Sequence, residues 1–96
     1  MQKPKWTLRV SNEQYDIYDC VLDGVVISIT CLKPHQKTNG HSHYNKELYI
    51  GISNGIVLNG NNLAPLQIIK LPADEFHHAF NNTDEDKTLL CLWEKH

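Results

Sequence analysis

The sequence predicts an all-β fold, a sandwich or barrel of roughly seven to nine short strands. Three observations carry this. No window sustains the i, i+3, i+4, i+7 apolar pattern of an amphipathic helix. Runs rich in β-branched and aromatic residues recur between turn residues about every eight to twelve positions. Within them apolar and polar residues alternate, as a strand with two different faces requires.

The elements follow in order. Residues 6–10 form a short first strand that ends at Ser11-Asn12-Glu13. Tyr15 to Leu22 and Val25 to Leu32 flank Asp23-Gly24, a dipeptide suited to a two-residue hairpin because both central positions need positive φ. Val25, Ile27, Ile29 and Cys31 alternate with Val26, Ser28, Thr30 and Leu32, so one face is apolar and the other partly polar. Lys33-Pro34 opens a polar loop that lasts to Gly40. Residues 47–53 and 56–58 are separated by Asn54-Gly55, and Asn59-Gly60-Asn61-Asn62 reads as a turn. Residues 66–71 run into Pro72, which has no N–H for a central ladder and marks a strand end or edge. Residues 76–81 and 88–94 complete the set, joined by a polar loop over 82–86.

With 96 residues the chain is expected to be a single domain, residues 1–96, with a modest core. A net charge of −2 and a pI near 6.3, with the basic residues scattered, argue against nucleic acid as a partner. No apolar run is long enough to span a bilayer, so no membrane partner is expected, and the first residues lack the apolar centre of a signal peptide. Cys20, Cys31 and Cys91 are an odd number without a CxxC pair, which fits thiols in a reducing compartment. The expected location is therefore cytoplasmic.

The chemistry concentrates at Gly-His-Ser-His-Tyr-Asn-Lys-Glu, residues 40–47. His41, His43 and Glu47 are separated by even intervals, and on an extended strand even spacing sends side chains to one face. Two imidazoles and a carboxylate make most of a divalent metal site. A further histidine from a second strand would complete it. The candidates are His77 and His78, which point to opposite faces if that segment is extended.

At this point the sequence resembles the cupin superfamily. His41-x-His43-x3-Glu47 matches the centre of the first cupin motif, and Pro72-x4-His77-x3-Asn81 matches the second in order and spacing. The resemblance implies a single-domain, cupin-like double-stranded β-helix, or jelly-roll barrel, with metal motifs at 40–55 and 66–82. It also implies His77 as the fourth ligand beside His41, His43 and Glu47, with Asn81 as its same-face neighbour. Four departures fall on turn positions. His35 and Asn54 stand at glycine positions of the first motif, and Leu66 and Asp74 at those of the second.

Other residues carry less. His78 is expected on the exterior and His35 in solvent. Tyr49 shares the parity of Glu47 and reads either as a hydrogen-bond donor in the cavity or as a packed interior tyrosine. Ser28 and Thr30 either line a pocket or face solvent. Trp93 and Phe80 read as core or dimer contacts, and Cys31 and Cys91 as core thiols.

Three imidazoles and one carboxylate suit a first-row divalent transition metal, Fe, Mn, Ni, Co or Zn. On an octahedral ion such a set leaves positions for a ligand or dioxygen. The resemblance implies a broad range of chemistry, from dioxygenases to isomerases, epimerases and lyases. The expectation is a metal-dependent enzyme on a small polar metabolite; the alternative is a non-catalytic module that binds or senses a small molecule. The single arginine, Arg9, disfavours sugar phosphates, because bidentate phosphate recognition favours arginine. An exposed first strand makes a homodimer the expected assembly.

Overall fold

The computed structural model describes residues 3, 5–38, 46–73 and 75–94. Their strands are β1 (Thr7–Ser11), β2 (Tyr15–Leu22), β3 (Val25–Leu32), β4 (Glu47–Gly51), β5 (Ile56–Leu58), β6 (Asn61–Leu63), β7 (Ile68–Leu71), β8 (Ala79–Asn81) and β9 (Lys87–Glu94). No helix among these residues is long and apolar enough to cross a membrane. One sheet has six strands in the order β1-β2-β3-β9-β4-β7, the other three in the order β6-β5-β8. All pairings within them are antiparallel.

Local chemistry explains the turns. Asp23 and Gly24 both have positive φ, 50° and 80°, and β2 and β3 pair without a break on either side of them. Asn59 and Gly60 repeat the arrangement at 48° and 79°. That second turn uses only two of the four residues expected to form it. Asn61 and Asn62 belong instead to β6 and pair with Leu58 and Val57. Two of the turn positions where the resemblance calls for glycine are left-handed without one: His35 at φ 57° and Leu66 at φ 66°. At Asn54 the positive φ falls one residue later, on Gly55 at 95°, and Asp74 lies outside the described residues.

Gly51 ends β4 for a steric reason. A Cβ there would stand 1.9 Å from the Ala64 carbonyl oxygen, and the Leu66 N–H donates to the Gly51 carbonyl at 2.8 Å. The strand ends there, two residues sooner than the sequence pattern predicts.

The core lies between the sheets. Tyr15, Leu32, Tyr49, Leu71 and Leu89 from the larger sheet meet Ile56, Leu58, Leu63 and Ala79 from the smaller. The alternation in β3 resolves so that Val26, Ser28, Thr30 and Leu32 are buried while Ile27 and Ile29 are half-buried on the outer face. Placing the polar alternates inward signals an interior that is not uniformly apolar, because a buried hydroxyl needs a polar partner.

Candidate functional site

Between the sheets lies a cavity of about 360 Å³. Its wall is built by register. Asp19, Ser28, Cys91 and Tyr49 face one another in a row across β2, β3, β9 and β4. Glu47, two residues before Tyr49 on the same face, is opposite Trp93. All six line the cavity.

Glu47 is buried, and each of its carboxylate oxygens has a distinct neighbour. Oε2 accepts a hydrogen bond from the Tyr49 hydroxyl at 2.7 Å and from the Cys91 thiol at 2.9 Å. Oε1 stands 3.8 Å from His77 Nε2. Burial, reinforced by the neighbouring Cys91 and Glu47, pushes the Tyr49 hydroxyl far above its ordinary range. Burial, followed by the charge of Glu47, pushes the Cys91 thiol up as well. Both groups therefore stay protonated and serve as donors to the carboxylate.

His77 is 3% exposed. Its Nδ1 lies 3.0 Å from the Glu75 carbonyl oxygen, which can only accept, so Nδ1 carries the proton. Nε2 is the ring nitrogen on the side of Glu47. The ring packs edge-on against Tyr49, centroids 5.5 Å apart. The next residue, His78, does not line the cavity; it is half-buried and its ring leans on Phe76.

Asn81, the last residue of the second motif, does not line the cavity either. It is fully buried, with Nδ2 within 3.1 Å of the carbonyls of Leu32, Lys33 and Glu85. Its Oδ1 accepts from the Thr83 N–H and hydroxyl. It joins the strand that follows His77 to the end of β3 and to the β8–β9 loop. His35 is exposed and contacts Asp84.

His41 and His43 lie outside the described residues. The residues on either side do not: Thr38 and Glu47 both line the cavity. Among the described residues no group of three or more His, Cys, Asp or Glu is arranged to hold a metal ion. The described part of the expected donor set nonetheless has the right chemistry. His77 presents an imidazole nitrogen oriented by the Glu75 carbonyl, and Glu47 a carboxylate oxygen held by partners on its other oxygen, the outer hydrogen bonding that orients metal ligands.

Sequence reasoning did not place Arg9 or Asp19 in the cavity, which both line. Arg9 donates from Nε to Asp19 Oδ2 at 2.6 Å, and Asp19 Oδ1 accepts from the Ser28 hydroxyl at 2.6 Å. Cys91 is buried as expected, yet it faces the cavity and bonds Glu47. Its place in an apolar run put it inside without showing which side chain 44 positions away it would meet.

No protein-family model matches this sequence. No curated protein matches it either. Solved structures do match the fold. AerE from Microcystis aeruginosa superposes with a TM-score of 0.86 at 17% identity over 97% of this chain, which spans about half (47%) of AerE. An RmlC-like cupin from Shewanella frigidimarina gives 0.76 at 9% identity, covering 96% of this chain and 86% of that one. A cupin superfamily protein from Desulfitobacterium hafniense gives 0.72 at 15% identity over 92% and 84%. The chain thus has an all-β, cupin-like jelly-roll fold.

Proposed function

We propose that this protein is a small metal-binding cupin that acts as a metal-dependent enzyme on a small metabolite held in the cavity. The observation that carries the reading is the meeting of Glu47 Oε1 and His77 Nε2, 3.8 Å apart, at the wall of the cavity. Glu47 and His77 would hold the metal together with His41 and His43, whose segment is bracketed by cavity residues Thr38 and Glu47. A divalent transition metal bound there supplies Lewis acidity toward a ligand oxygen or a site for dioxygen.

The chain's own residues would do the rest. Tyr49 and Cys91 hold the Glu47 carboxylate in one orientation. The Glu75 carbonyl holds the His77 tautomer. Leu89, Ala79 and Trp93 exclude water from the ligand's apolar part. The site belongs to a single domain in this reading. A cytoplasmic location goes with it, supported by free thiols at Cys20, Cys31 and Cys91.

The test is turnover. Chelator-treated protein is reloaded anaerobically with Fe(II), exposed to oxygen and offered candidate metabolites. Oxygen uptake or product that depends on Glu47 and His77 is the expected result. A metabolite that binds and is always recovered unchanged, with each metal of the series, would instead establish a binding or sensing module.

A further inference from the structure

The chain's one arginine sits at an irregularity that serves the cavity. Between β1 and β2 the register runs Thr7 opposite Asp19 and Leu8 opposite Tyr18, then shifts so that Val10, not Arg9, is opposite Ile17. Arg9 is the extra residue of a β-bulge, a device that re-aims side chains. Here it lets consecutive residues turn the same way: Val10 packs against the core, and Arg9, its side chain 47% exposed, reaches the cavity from its solvent-facing rim.

The guanidinium is then held from one side only. Nε donates to Asp19 Oδ2, and Asp19 is itself fixed by Ser28, whose hydroxyl oxygen lies 3.4 Å from Trp93 Nε1. No hydrogen bond from either terminal nitrogen of Arg9 is found among the described residues. These nitrogens form the planar edge that pairs with a carboxylate through two parallel hydrogen bonds. Among the described residues lining the cavity, the other cationic candidate is His77, on the Glu47 side; no lysine lines it. A lone guanidinium matches a singly charged carboxylate better than a phosphate dianion, which draws several cationic or backbone donors. Ile17, Leu89 and Trp93 beside it offer an apolar wall.

We infer that the cavity's ligand is a small carboxylic acid with an apolar body, its carboxylate docked on the terminal edge of Arg9. Asp19 acts as the positioning residue that orients the guanidinium. This deepens the proposed function and rests on the same cavity, but it does not require the metal.

The test is calorimetry and Trp fluorescence with benzoate and butanoate, each beside its primary amide, on chelator-treated and on metal-loaded protein. The acids should bind more tightly than their amides in both preparations. Arg9→Gln should weaken the acids about tenfold to a hundredfold, the range of a lost charge-assisted hydrogen bond, and leave the amides unchanged. Arg9→Lys, which keeps the charge and loses the fork, should fall between. The wild-type acid-to-amide ratio needs no variant, so a folding defect in Arg9→Gln leaves the test intact. Three results would overturn the inference: no acid binds, amides bind as tightly as acids, or Arg9→Gln keeps the selectivity. Selectivity that appears only with metal and survives Arg9→Gln would put the carboxylate on the metal. Arg9-dependent selectivity in metal-free protein supports the inference even if metal analysis defeats the metal-centred reading.

Discussion

The Tyr49 hydroxyl donates to Glu47 Oε2 at 2.7 Å, from two residues along the same strand and the same face. Cys91, the cross-strand partner of Tyr49, donates to the same oxygen. The shared acceptor leaves Oε1 as the carboxylate atom on the His77 side. A carboxyl group buried this deep needs such partners, because burying a polar group without hydrogen bonds is costly.

Tyr49→Phe removes one of the donors to Glu47 with little change in shape. Stability should drop by about 1.5–3 kcal/mol, the range for hydrogen bonds to charged groups. Urea unfolding of chelator-treated protein measures it. If the Tyr49→Phe variant is as stable as wild type, the hydroxyl contributes nothing to holding Glu47.

Asn81→Ala should be more damaging than its distance from the cavity implies. The amide serves three carbonyls and accepts from Thr83, all of which lose a partner in a buried place. A loss of at least about 2 kcal/mol is expected, read as a lower denaturant midpoint. Because Asn81 follows His77 closely in the chain, ligand affinity should fall with it.

Leu66 is 86% exposed and sits at φ 66°, where a residue with a Cβ is strained by about 1–2 kcal/mol. Leu66→Gly relieves that strain and loses almost no burial. Against it stands a backbone-entropy cost of about 0.5–1 kcal/mol. The variant should be more stable by up to about 1.5 kcal/mol. A destabilised variant would show that the turn needs this side chain.

A homodimer is expected, with the outer face of the larger sheet as its contact. Leu48, Leu92 and Ile27 form one apolar row across it, and Ile68, Ile50, Leu90 and Ile29 a second. Leu48 and Ile68 are exposed. Light scattering should return twice the chain mass at micromolar concentration, and Leu48→Lys should shift the protein toward monomer. A monomeric wild type contradicts this.

The sequence carried the fold further than the site. Asp23-Gly24 announces its hairpin because few other dipeptides accept positive φ twice, and β2 and β3 fall where alternation puts them. β6 escaped because Asn61 and Asn62 face solvent and its one buried side chain is Leu63. The turns at His35 and Leu66 keep a left-handed backbone that the residue types do not advertise. Glu47 and His77 were legible from motif spacing. Arg9 was not, because its direction depends on a register shift between β1 and β2 that no local pattern encodes. The burial of Ser28 beside Asp19 likewise depends on pairing across strands.

The most direct test of the central claim is metal content. Untagged protein purified without chelator should carry a stoichiometric divalent transition metal by elemental analysis. Folded His77→Ala and His41→Ala proteins should carry none. Equal metal in wild type and both variants would contradict the assignment of the site.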